Sequence, residues 1–276
     1  VFLSSVLSPQ SSSLFTTAMT LSDLLNLVPV YVLVLVRVAA MMVYAPLLGS
    51  GQIPKRVKGM IACVLALAVA RGVPPPIVPV TSLGMAAVGI GGEIAFGLAM
   101  GLILSFTFIA AQWAGQIVGQ QMGLNLSEVF DPQFGGQGSI VGNLYFMLTL
   151  VVFLTVNGHR AMIMGVRDSF DAMPLLSVGI TKSLVDVFLS LFQAATELAI
   201  RLAAPILVTM VVVDMALGFI GKTMPQLNVM SAGLSIRVIV GMLVLLFGIG
   251  LTSEVMRTAV LDSMETVYRL YVTSGR

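Results

Sequence analysis

Long apolar runs separated by short polar breaks dominate the chain, and runs of this length predict helices. Residues 28–48 form the first run, interrupted by Arg37 and by Pro29 and Pro46 near its ends. A loop with Lys55, Arg56 and Lys58 clustered follows. Residues 59–70 are short for a membrane span and stop at Arg71 and three prolines at 74–76. Residues 83–111 carry one charge, Glu93, and residues 140–156 carry none. Residues 157–183 read as a mixed connection. Residues 184–221 stay apolar for about 38 residues, roughly 57 Å as one straight helix, against about 30 Å of hydrocarbon. Either Pro205 breaks this run or the helix extends well outside the bilayer. Residues 234–251 are the last run, and an amphipathic tail with Glu254, Arg257, Asp262, Glu265 and Arg269 closes the chain.

One stretch departs from this pattern. Residues 112–142, between two apolar runs, hold Gln112, Gln116, Gln120, Gln121, Gln133 and Gln137, with Asn125, Glu128 and Asp131. Lipid cannot solvate so many amides, and irregular polar backbone survives at membrane depth only when buried in protein or facing a water-filled cavity. The stretch is therefore a surface loop or the working part of a pore.

Composition narrows the class. The chain is 58% hydrophobic and 9% charged, whereas soluble domains average about 25% charged. It is an integral membrane protein, long enough for about six spans at roughly 20 residues each. A net charge of +2 gives no argument for nucleic acid. A single cysteine, Cys63, excludes an internal disulfide, and a single histidine, His159, excludes the usual multi-His metal site. No cofactor is expected. The 18 methionines read first as apolar filler, and more sharply as a deformable seal around a moving substrate. Residues 1–20, Ser/Thr-rich and without Lys or Arg, lack the basic start of a secretory signal and read as a non-native or disordered extension. Basic residues fall on both sides of a six-span count, so the positive-inside rule gives no orientation. The apolar runs are then not six ordinary spans, or assembly sets the topology.

Gly115, Gly119 and Gly123 recur every fourth residue, with Ala111 one step earlier, and Gly97 and Gly101 repeat the spacing. On a helix they share a narrow face, where small residues let backbones pack closely. Glycine is common here, at 27 residues, but a three-step ladder favours a tight helix seam. Arg37, Glu93, Glu197, Arg201, Asp214 and Arg237 lie inside apolar runs, where charges are expensive. Glu197 and Arg201, at i and i+4, form a self-neutralising pair. Arg37 with Glu93, and Asp214 with Arg237, are candidate cross-helix pairs. A proton relay ranks below structural neutralisation, because acids and histidines do not stack along one face. The Gly-Lys-Thr at 221–223 is close to a P-loop ending, but a membrane helix precedes it and Pro225 follows. The sequence carries no enzyme motif.

The segments LLGSGQIPKRVK (47–58), AGQIVGQQMGLNLSEVFDPQ (114–133), LTVNGH (154–159), DSFDAMPL (168–175) and MPQLNV (224–229) resemble, in order, the export-gate family of FliR, shared with the T component of injectisome type III secretion. The resemblance covers roughly residues 24–251. The PQLN-type match and the long FDPQ loop look more flagellar than injectisome. Gly233-Leu234-Ser235 departs from the Gly-Phe-Pro of many members, which removes a proline kink.

The resemblance implies an all-α, polytopic membrane protein of helical hairpins with long, broken helices. A FliP-like part, residues 21–183, would precede a FliQ-like hairpin and amphipathic tail, residues 184–276. It implies assembly with FliP and FliQ homologues, contact with FlhB and FlhA homologues, and passage of unfolded export substrates. The gate would sit in the bacterial inner membrane at the flagellar basal body, partly raised above the lipid. The family's central loop, matching residues 123–142, plugs the closed channel. Its FDP match carries that role to Phe130, Asp131 and Pro132, and Phe134 joins them as an aromatic able to fill a narrow lumen. A small-solute secondary transporter is the competing function, and a purely structural scaffold a third. Transporters show internal repeats with a midplane site, and the two halves here show no convincing repeat.

Overall fold

The computed structural model describes residues 21–46, 49, 53–74, 83–125, 139–176, 182–224 and 229–274. Among these there are seven helices and no strand. They are α1 (Leu21–Tyr44), α2 (Lys55–Ala70), α3 (Leu83–Met122), α4 (Ile140–Thr155), α5 (Gly158–Ala172), α6 (Lys182–Thr223) and α7 (Val229–Ser274). Residues 1–20, including the N-terminal extension, lie outside the described residues, as do Phe130, Asp131, Pro132 and Phe134.

The helices differ from the predicted runs in instructive ways. Residues 112–122 continue α3 for three more turns, because Ala111, Ala114, Val118 and Met122 keep a helical apolar stripe while Gln116, Gln120 and Gln121 point outward. Pro205 does not break α6, which runs 42 residues, about 63 Å. The mixed connection holds α5, and the last apolar run and its tail form one continuous helix of 46 residues that includes 233–235. Among the described residues, six ordinary spans are not present. Three helices, α3, α6 and α7, are long and apolar enough to cross a membrane, or up to four if the bent pair α4–α5 is one span.

That bend is built by the Asn-Gly-His motif. Asn157 adopts the left-handed conformation at φ 57°, and the axes of α4 and α5 differ by 65°. Gly158 leaves room for the Phe153 ring and the Met264 methyl against its Cα.

α3 is the spine. Its N-terminal half packs on α1 and its C-terminal half on α4, with α6 and α7 along the same rod. Two cores follow. One gathers Val34, Val38 and Met41 of α1 with Phe96, Met100 and Ile103 of α3, Phe153 of α4 and Phe170 of α5. The other gathers Ala110, Ala114, Val118 and Met122 of α3 with Tyr145 of α4 and Ala195, Ala199 and Ala203 of α6.

Candidate functional site

The first constellation is buried between α1, α3 and α5. Arg37 and Glu93 are both 0% exposed, with Arg37 Nε 2.5 Å from Glu93 Oε2. The guanidinium also donates through Nη1 to the Ser169 hydroxyl at 3.1 Å and its carbonyl at 3.3 Å, and through Nη2 to the Met173 carbonyl at 3.2 Å. The rings of Phe96 and Phe170 lie 5.1 and 4.1 Å from its central carbon. Glu93 Oε1 accepts from the Leu176 amide at 3.0 Å. A buried charge is tolerable only when paired and hydrogen-bonded, and both conditions hold. The cation also meets carbonyls at the C-terminus of α5, the end that favours positive charge. The 168–175 motif thereby gains a role: Ser169 and Met173 receive Arg37, and Leu176, just beyond it, presents an amide to Glu93.

The glycine spacing is explained by close backbone approach. A Cβ on Gly97 would collide with the Arg37 carbonyl, and one on Gly101 with the Met41 carbonyl, so these two seat α1 on α3. A Cβ on Gly115 would stand 2.5 Å from the Val141 carbonyl oxygen and 2.6 Å from the Gly142 Cα. One on Gly119 would stand 2.7 Å from Ser139 Oγ and 2.8 Å from Asn125 Oδ1. The ladder thus receives the start of α4 within the same chain. Gly123, at φ 78°, ends α3. Its amide reaches the Gln120 carbonyl at 3.0 Å and the Leu124 amide the Gly119 carbonyl at 2.9 Å, the Schellman pattern of helix termination.

Asn125 and Ser139, the described residues on either side of 126–138, therefore meet at Gly119. Ser139 caps α4, accepting from the Gly142 amide at 3.3 Å, and donates to the Gly115 carbonyl at 3.4 Å. Asn125 is buried on the same turn, and its Nδ2 has no acceptor among the described residues. The four positions Phe130, Asp131, Pro132 and Phe134 fall inside the segment and outside the described residues.

The other four charges singled out inside apolar runs lie on the α6–α7 hairpin and are partly or mostly exposed. Arg201 Nη2 is 2.7 Å from Glu197 Oε1, with side chains 63% and 62% exposed. Arg237 and Asp214 join α7 to α6 at 2.7 Å, half-exposed. Glu197 and Arg201 border a cleft of about 370 Å³ between α3, α6 and α7, which Phe106, Thr258 and Asp262 also line.

Sequence reasoning found the glycines but missed the alanines. Ala195, Ala199 and Ala203 recur every fourth residue on α6 and are buried in the same core as Ala110 and Ala114 of α3. The signal was the same small-residue spacing, hidden by the abundance of alanine in apolar helices.

Comparison with known proteins places this architecture. Residues 28–263 match the family described as Bacterial export proteins, family 1, one of export proteins rather than of enzymes. The chain is 29% identical over 262 residues to the flagellar biosynthetic protein FliR of Bacillus subtilis, covering 92% of this chain and 99% of that protein. It is 31% identical over 210 residues to FliR of Escherichia coli, covering 75% and 79%. It is 31% identical over 226 residues to FliR of Pectobacterium carotovorum, covering 81% and 85%. The chain therefore belongs to this family of bacterial export proteins, alongside the flagellar biosynthetic proteins FliR, and is a multi-pass membrane component of the flagellar export apparatus.

Proposed function

We propose that the chain is a non-enzymatic subunit of a protein-conducting export gate, formed with FliP and FliQ homologues in the bacterial inner membrane at the flagellar basal body. FlhB and FlhA homologues complete its surroundings, and unfolded flagellar proteins are the cargo. Residues 21–183 take the FliP-like place and residues 184–276 the FliQ-like place.

One observation carries this reading. The apolar stretches of α6 and α7 are buried within the chain to only 22% and 6%, yet they carry Glu197–Arg201 and Asp214–Arg237 on open faces. Lipid would cover the apolar side chains readily but not the ion pairs, which favour protein neighbours or a watery cavity. An assembly of helices supplies both. The apolar stretch of α3, by contrast, is 61% buried within the chain itself.

Residues 123–142 form the plug of the closed channel, with Phe130 and Phe134 filling the lumen beside Asp131 and Pro132. Hydrophobic constrictions exclude water and ions until displaced. Support comes from the two flanks of the segment, Asn125 and Ser139, which meet at Gly119 of α3. Deleting residues 128–137 is expected to leave the complex assembled but leaky, read as ion conductance or solute uptake in cells expressing the partner subunits. An assembled complex as tight as wild type would return the stretch to an ordinary loop.

A further inference from the structure

We propose that the cleft between α3, α6 and α7 seats one basic side chain, an arginine or a lysine, from a neighbouring subunit of the export apparatus, with Asp262 as its counter-charge. This assignment rests on the reading that other subunits cover the α6–α7 hairpin, and it fixes the place and chemistry of one contact.

The cleft holds about 370 Å³, at the small end of the roughly 300–1,000 Å³ typical of ligand pockets. That suits one inserted side chain rather than a helix. Its charged walls set Glu197, Glu254 and Asp262 against Arg201. Arg201 is held by Glu197 at 2.7 Å, and Glu254 is held by Arg257 at 2.8 Å. The Asp262 carboxylate has no cationic partner among the described residues.

The hydroxyls sharpen the chemistry. Thr258 donates to the Glu254 carbonyl at 3.1 Å, Ser263 to the Val260 carbonyl at 2.7 Å and Thr266 to the Asp262 carbonyl at 2.8 Å. Each of these lining groups has given its one hydrogen to its own helix, so it offers the cleft only lone pairs. Carboxylates likewise only accept. Thr107 of α3 stands apart. It lines the cleft, is only 8% exposed, and has no hydrogen-bond partner among the described residues. A buried hydroxyl left unpaired is costly, so the site is short of a polar group. A surplus of acceptors and of negative charge calls for a cation rich in donors. An ammonium brings three and a guanidinium five, and neither brings an acceptor.

The surroundings favour a cation carried on a chain over a dissolved one. Ile200 of α6 is 56% exposed, and Leu251 and Leu261 of α7 are 66% and 41% exposed. A free cation would neutralise Asp262 and leave these side chains bare. A helix laid across them covers both, and brings its own basic residue over the cleft. The aliphatic stem of that residue packs on Ala195 and Leu198, which line the wall.

The test uses the complex purified from membranes in mild detergent. A photoreactive residue replacing Ala194, exposed on the cleft wall, is expected to cross-link to an export-apparatus subunit, at a peptide with an arginine or lysine within one helical turn of the joined residue. Cross-links to lipid alone, to this chain alone, to a peptide without such a residue, or none at all overturn the proposal. Asp262→Arg is expected to lower co-purification of that subunit several-fold, and replacing the mapped basic residue by Asp in the partner to restore it. Glu265→Arg, the same change of charge at an acid that pairs with Arg269 and does not line the cleft, is expected to leave co-purification unchanged. Equal loss in both variants makes the effect one of surface charge in general and overturns the cleft. Should Asp262→Arg fail to accumulate in membranes, Asp262→Asn decides, since it keeps the shape and removes the charge. A fall in co-purification then supports the contact, and a wild-type level overturns it. A wild-type chain that brings down no other subunit overturns the subunit reading and this contact with it. Subunits retained equally by wild type and Asp262→Arg overturn the contact alone.

Discussion

α3 and α7 are long apolar helices of 40 and 46 residues, yet their surroundings are opposite. Of the apolar stretch of α3, 61% is buried within the protein, and of that of α7, 6%. Their charges follow suit. The single acid of α3, Glu93, is sealed against Arg37 with its second oxygen on the Leu176 amide. On the hairpin, the ion pairs stand exposed, Glu197–Arg201 by more than three-fifths and Asp214–Arg237 by about two-fifths. Hydropathy measures how unwelcome water is, not what replaces it. For α3 the replacement is this chain, and for α6 and α7 it comes from outside.

The comparison breaks first at the buried pair. Arg37→Leu or Glu93→Leu alone strands a desolvated charge and is expected to cost about 3–5 kcal/mol, read as collapse of the chain's level in membranes or a large fall in its melting temperature. Arg37→Met/Glu93→Leu together should recover much of that loss but not all, because the Leu176 amide then loses its acceptor. A double variant as damaged as the singles would show that the ion pair is not what holds α1, α3 and α5.

Next in size is the glycine seam. Gly119→Leu forces a side chain into the space of Ser139 Oγ and Asn125 Oδ1, and overpacking costs typically about 1–3 kcal/mol. Separation of α4 from α3 is expected to abolish assembly on native gels rather than to alter gating. Normal assembly would mean that the seam yields without loss.

The smallest effect belongs to the open pair. Arg201→Ala should lower the chain's level less than either change at Arg37 or Glu93, since Glu197 is 62% exposed within the chain and exposed pairs are worth little in water. Replacing both Glu197 and Arg201 with apolar residues should be better tolerated than Arg201→Ala. Equal damage from single and double replacement would speak against pairing as their role. Damage as large as at Arg37 would erase the contrast between the two regions.

The legible parts of the fold were those with local signals. Helical runs, the four-residue glycine spacing and the adjacency of Glu197 and Arg201 follow from periodicity alone. The continuation of α3 through Gln112, Gln116 and Gln120 was equally periodic, but polarity masked it, since amides read as loop when only lipid is considered as solvent. Of the two readings of residues 184–221, a break at Pro205 or one overlong helix, the structure shows the second. A proline in an apolar helix is tolerated where neighbouring groups and local adjustment absorb the missing hydrogen bond. The convergence of Arg37, Glu93, Ser169, Met173 and Leu176 spans the chain from α1 to the turn beyond α5, and no single stretch carries it. Nor could spacing alone show that the ladder at Gly115 and Gly119 faces the start of α4.

The central claim is that the bare hairpin is covered by other export-apparatus subunits. Its most direct measurement is purification of the chain from membranes in mild detergent, with mass spectrometry of what accompanies it. The chain is expected to elute in a stoichiometric complex with FliP and FliQ homologues, and Phe247→Asp, a charge on the open face of α7 where Phe247 is 83% exposed, to strip partners while leaving the chain folded. A stable monomer or homodimer that binds a small solute, unchanged by Phe247→Asp, would contradict the account and favour a transporter.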